Sequence, residues 1–147
     1  MSEATNDTSQ EARGPGLGAF HPRVLYTAYR VRNLDTASTF YVDVLGMHER
    51  MRFQLPSGEW ECVLDFPESK GSGVILMWNP EHKTLNRGDG YSRVVLKVSD
   101  LDAAVDYLRS RDTRITTPPT DTPIGIRYAL FEDPDGYTLE LMQIGKA

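Results

Sequence analysis

Tyr26 and Arg93 could do chemistry together: a phenol able to donate a proton to a carbonyl or orient it, and a permanent cation. They stand 67 residues apart, and the same offset separates two near copies of one segment. Val31-Arg32-Asn33-Leu34-Asp35-Thr36-Ala37 recurs as Val98-Ser99-Asp100-Leu101-Asp102-Ala103-Ala104. Two copies in so short a chain imply two modules about a pseudo-twofold axis, and matching residues near that axis are candidates to share one site. The plainer reading of Tyr26 is a space-filling ring with its hydroxyl hydrogen-bonded.

Strand alternation extends the pair into a face. Tyr26, Ala28 and Arg30 point one way, and Leu25, Thr27, Tyr29 and Val31 the other. In the second copy Arg93, Val95 and Lys97 oppose the wholly apolar Val94, Leu96 and Val98. The apolar set is expected to pack on a helix, which leaves the first sets facing a cavity between the modules. Arg30, Arg93 and Lys97, beside Ala28, Ile75, Met77, Val95 and Met142, then predict a small anionic or carbonyl-bearing ligand with an apolar body.

The remaining reactive types have plainer readings. His48 lies on a strand face with Arg50 and Arg52, His82 in a linker, and His21 beside Pro22; none has the spacing of a paired metal motif. Cys62, the only cysteine, sits in an alternating apolar strand as a small core residue. A lone cysteine excludes an intrachain disulfide and fits a cytoplasmic location.

The positioning elements follow from periodicity. Val24 to Val31 reads as a strand, Asn33 as a helix cap, and Leu34 to Leu45 as a helix stopped by Gly46. Strands follow at Met47–Phe53, Trp60–Phe66 and Gly73–Trp78. The second copy repeats this: a strand from Gly90 to Val98, a cap at Ser99 or Asp100, a helix, and strands at Arg114–Thr117, Arg127–Glu132 and Thr138–Ile144. Each half is β-α-β-β-β. The expected organisation is a disordered tail over residues 1–20 and one domain over 21–147, comprising module one at 23–78, a linker at 79–89 and module two at 90–145. The tail could instead be an arm that docks on a partner subunit through Leu17 and Phe20.

At 147 residues the chain suits one core, with 39% hydrophobic and 25% charged residues. No apolar run is long enough for a membrane span, and the start lacks the pattern of a secretory signal. A net charge of -5 without a basic block argues against nucleic-acid binding.

Asn33-Leu34-Asp35, Phe40-Tyr41 and Val44-Leu45-Gly46, then Val98-Ser99-Asp100-Leu101, then Phe131-Glu132-Asp133-Pro134-Asp135-Gly136-Tyr137-Thr138-Leu139-Glu140-Leu141, closely resemble the glyoxalase/bleomycin-resistance/extradiol-dioxygenase (vicinal oxygen chelate) superfamily. The resemblance implies an α+β fold of two βαβββ modules forming a curved mixed sheet around a central cleft, and a homodimer. It also implies a four-ligand metal site whose positions fall here on Tyr26, Ile75, Arg93 and Glu140. Only Glu140 keeps a ligand type, so no metal and no cofactor are expected.

Arg93 and Glu140 are expected within salt-bridge distance, the guanidinium standing in for the metal's charge. Glu140 would then act as a base next to a carbonyl while Arg93 and Tyr26 stabilise the enolate, as in a glyoxalase-like lyase or isomerase. The same pair could be an inert buried ion pair. Two rival functions remain open. One is a divalent-metal-dependent glyoxalase-type lyase or dioxygenase with ligands such as His48 or His82; the other is a non-catalytic ligand-sequestering or dimerisation module.

Overall fold

Asn33 and Asp100 start the two helices alike, each side chain accepting a hydrogen bond from the backbone three residues on, at Thr36 (2.9 Å) and Ala103 (3.0 Å). In the computed structural model, which describes residues 13–82 and 84–145, α1 spans Leu34–Thr39 and α2 spans Leu101–Ser110. The first helix was expected to run unbroken to Leu45. Instead it widens into a π turn at Phe40–Val44, where the Leu45 amide donates to the Phe40 carbonyl. That turn carries the buried Tyr41, whose hydroxyl donates to Asp133 at 2.7 Å. Gly46, at φ 82°, then reverses the chain.

The strands are β1 (Tyr26–Arg30), β2 (His48–Gln54), β3 (Trp60–Asp65), β4 (Gly73–Trp78), β5 (Val94–Lys97), β6 (Ile115–Asp121), β7 (Ile126–Glu132) and β8 (Thr138–Ile144). They form two four-stranded sheets, ordered β1-β4-β3-β2 and β5-β8-β7-β6. In each, the first strand runs parallel to the last and the other pairs are antiparallel. This is the two-module βαβββ architecture.

Two strands depart from expectation. β5 is shorter than the predicted 90–98 and starts at Val94, after Tyr91 has turned its hydroxyl onto the Thr138 carbonyl. β6 runs on through Pro118 and Pro119, which a sheet edge tolerates because proline's missing N–H falls where register shifts already interrupt the ladder.

The apolar faces of both sheets and helices bury Val31, Leu34, Leu64, Leu76, Leu101, Phe131 and Leu139. Cys62 is fully buried, as its pattern predicts, and burial pushes its thiol up to about 12. Between the modules runs a chain of tyrosines. The Tyr29 and Tyr91 rings each pack on Tyr137 at 4.9 Å, the Tyr29 and Tyr41 hydroxyls lie 2.6 Å apart, and Tyr137 donates to the Arg30 carbonyl. Asp135 accepts from the Arg32 amide beside them.

The tail expectation falls largely on residues 1–12, outside the described residues. Gly16–Phe20 forms a 3-10 turn with Leu17 72% and Phe20 78% exposed. No helix among the described residues is long and apolar enough to cross a membrane.

Candidate functional site

β8 lies between β5 and β7, so Glu140 enters the middle of a sheet face with Val95 and Leu130 as its cross-strand neighbours. A carboxylate there needs a partner. Arg93, just before β5, supplies it through Nε at 2.5 Å from Oε1. Glu140 keeps 5% of its side-chain surface, whereas Arg93 keeps 43%. Arg93 Nη1 also donates to Ser92 Oγ at 3.1 Å. Its Nη2 has no partner among the described residues.

Module one shows what stands in the equivalent places. Ala28 pairs with Ile75 as Val95 pairs with Glu140, which makes Ile75 the counterpart of Glu140 and Tyr26 that of Arg93. Tyr26 is half-buried, and its hydroxyl has no hydrogen-bond partner among the described residues. Arg30 is engaged: Nε and Nη2 donate to the two carboxylate oxygens of Glu59 at 2.8 and 3.1 Å. Those bonds hold the Glu59 carboxyl below its ordinary range. Sequence reasoning passed over Glu59, although it continues the alternation through Glu61, which faces Met77 across the ladder.

The large cavity is not where alternation placed it. About 1260 Å³ opens between the modules on the opposite face, against Leu25, Thr27, Val44, Val94, Leu96 and Tyr107. Val95 and Lys97 border it, but Tyr26, Arg30, Ile75, Met77, Arg93, Glu140 and Met142 do not. The cause is helix placement. Tyr107 on α2 donates to the Val44 carbonyl at 2.8 Å, so the modules meet on their helix sides and the Ala28–Ile75 and Val95–Glu140 faces lie away from that contact. The structure thus joins Arg93 to Glu140 and leaves Tyr26 without a bond to either.

Asp133 is a second buried carboxylate that the expected site did not include. It accepts from Tyr41 and from the amides of Asp135 and Tyr137, yet burial outweighs those bonds and pushes its carboxyl up to about 6.

The sequence matches the Glyoxalase/Bleomycin resistance protein/Dioxygenase superfamily over residues 23–141. The chain belongs to this superfamily. A probable lactoylglutathione lyase of Synechocystis sp. is 33% identical over 123 residues, covering 82% of this chain and 94% of that protein. Glyoxalase I from Zea mays superposes with a TM-score of 0.74 at 26% identity, over 85% of this chain and 46% of the maize chain. The antibiotic-binding protein TnmS3 from Streptomyces sp. CB03234 superposes at 0.66 and 26% identity, over 84% of this chain and 97% of its own.

The superfamily resemblance implies a divalent metal, and the donor chemistry here does not fit one. Isoleucine has no donor atom, a guanidinium cannot give up its charge, and a neutral phenol is a poor ligand. Among the described residues of one chain no three His, Cys, Asp or Glu side chains gather into a cluster.

Proposed function

We propose that this superfamily member binds a small anionic or carbonyl-bearing molecule on the sheet face around Arg93 and Glu140, and catalyses a glyoxalase-like isomerase or lyase step. The observation that carries this reading is the buried Glu140 held on Arg93 while Arg93 Nη2 stays free. In the isomerase form, Glu140 takes a proton from a carbon next to a carbonyl and the C–H electron pair moves onto oxygen as an enolate. Arg93 stabilises that oxygen; where the deprotonated carbon carries a hydroxyl, its O–H proton passes to the enolate oxygen and Glu140 returns its proton to the former carbonyl carbon, which leaves the carbonyl on the hydroxyl-bearing carbon. Val95, Lys97 and Met142 line the ligand on the same face; Tyr26, Arg30, Ile75 and Met77 belong to the matching face of module one.

We propose further that the chain forms a homodimer that completes this site. The outer edge strands are the better protected, β6 by Pro118 and Pro119 and β2 by a bulge and its charges, whereas β1 and β5 have neither proline nor bulge and carry one cation each, Arg30 and Lys97. A partner that sets its β5 beside β1 covers both inner edges by symmetry and brings the Tyr26 face to the Arg93 face. We read residues 21–147 as the one domain that dimerises, residues 1–20 as a tail outside the interface, and the cytoplasm as the location.

A second reading, a metal-dependent lactoylglutathione lyase, is favoured by the relative of that name at 33% identity. Elemental analysis of the purified protein, with turnover of the hemithioacetal of methylglyoxal and glutathione measured with and without chelator, separates the two. Under the first reading no stoichiometric Zn, Ni, Fe or Mn is found and chelator changes nothing. About one tightly bound metal per chain, with activity lost on chelation, establishes the second.

A further inference from the structure

Arg93 offers more than a partner for Glu140. A guanidinium has five N–H donors in one plane; Nε is used by Glu140 and one Nη1 hydrogen by Ser92. Both Nη2 hydrogens and the second on Nη1 remain, so one hydrogen from each Nη is left for the end-on fork that matches two oxygens of a carboxylate. Glu140 beneath limits how the guanidinium plane can turn, while 43% of the Arg93 side chain is open. Lys97, on the same strand face, is exposed and has no carboxylate partner among the described residues. Val95, 46% exposed, supplies apolar floor between them. The module-one cation differs, because Glu59 already takes Arg30 through two bonds.

We infer that Arg93 is the fixed cation of this site, taking the place of a metal, and that with Lys97 it selects ligands carrying a carboxylate next to an apolar body. The inference rests on the small-molecule reading above and narrows it. The unused guanidinium donors lie in module two, just before a strand whose central neighbour is Glu140. A charge of this kind is permanent, so recognition is independent of divalent cations and of chelator.

Calorimetric titration with phenylpyruvate and with its methyl ester tests the assignment, each in EDTA and each with added Zn²⁺. The wild-type chain is expected to bind the acid about tenfold more tightly than the ester, with no effect of EDTA or Zn²⁺. In Arg93→Met the preference is expected to fall below about threefold, and in Lys97→Met to an intermediate value. If Arg93→Met does not fold, Arg93→Met with Glu140→Gln, which removes both charges together, takes its place. Equal binding of acid and ester overturns the carboxylate assignment while the small-molecule reading stands, and binding that requires Zn²⁺ overturns the substitution of arginine for metal. If neither probe binds at millimolar concentration, both readings fall.

Discussion

The Arg93–Glu140 pair is unequal at the residue scale: the carboxylate is buried and the guanidinium is 43% open. Removing the cation alone leaves a buried charge. Arg93→Met should therefore cost on the order of 3 kcal/mol, the low end for a broken buried pair because water can reach part of the site. Glu140→Gln in the same chain should recover most of that loss, and thermal melts of both single variants and the double variant measure the coupling. Additive losses would mean that the two side chains contribute independently.

Asp133 gives a pH signature. Its folded-state carboxyl, pushed up to about 6 by burial, lies above the ordinary 3.8. The folded protein therefore holds this proton more tightly than the unfolded chain does. The resulting stability is complete below about 3.8 and is lost as pH rises through about 6. Against an Asp133→Asn reference, wild-type stability should decline across that window, as followed by urea denaturation at pH 4, 5, 6 and 7. A flat difference would show that the hydrogen bonds from Tyr41, Asp135 and Tyr137 offset the burial.

At the scale of elements, caps and turns were the most legible features, because each is decided by neighbours in sequence. Asn33 and Gly46 act where their types predict. The π turn after Thr39 had no local signal, since Tyr41 reaches for a carboxylate 92 residues away. Gly73 gains its meaning from a neighbouring strand as well. A Cβ there would lie 2.0 Å from the Leu64 carbonyl oxygen and 2.9 Å from the Asp65 Cα, both backbone atoms that cannot swing aside. Gly73→Ala should push β4 off β3 and destabilise the chain by about 3 kcal/mol, measured by denaturant unfolding. A loss under about 0.5 kcal/mol, the range of an ordinary surface change, would show that the ladder can shift to make room.

At the scale of the whole molecule, the two sheets leave β1 and β5 as unpaired inner edges, with Val24 86% and Val95 46% exposed beside them. Light scattering at micromolar concentration should report a dimer, and a chain lacking residues 1–18 should also report a dimer, of its own smaller subunits. A monomer in both cases would contradict the edge assignment. A dimer that dissociates only on truncation would instead make the arm, with Leu17 and Phe20, the interface.

Strand, cap and repeat are local properties, and residue order was enough to determine two βαβββ modules and the equivalence of Tyr26 with Arg93 and Ile75 with Glu140. Hydrogen-bond register carries that equivalence into three dimensions without change, because side-chain alternation and ladder pairing share one period. How the modules sit against each other was decided only by tertiary contacts. The Tyr41–Asp133 and Tyr107–Val44 hydrogen bonds join residues 92 and 63 positions apart. They turn the helix sides inward and the charged strand faces out. Alternation says which residues share a face of a sheet, but what that face meets depends on how one sheet packs against the rest of the molecule.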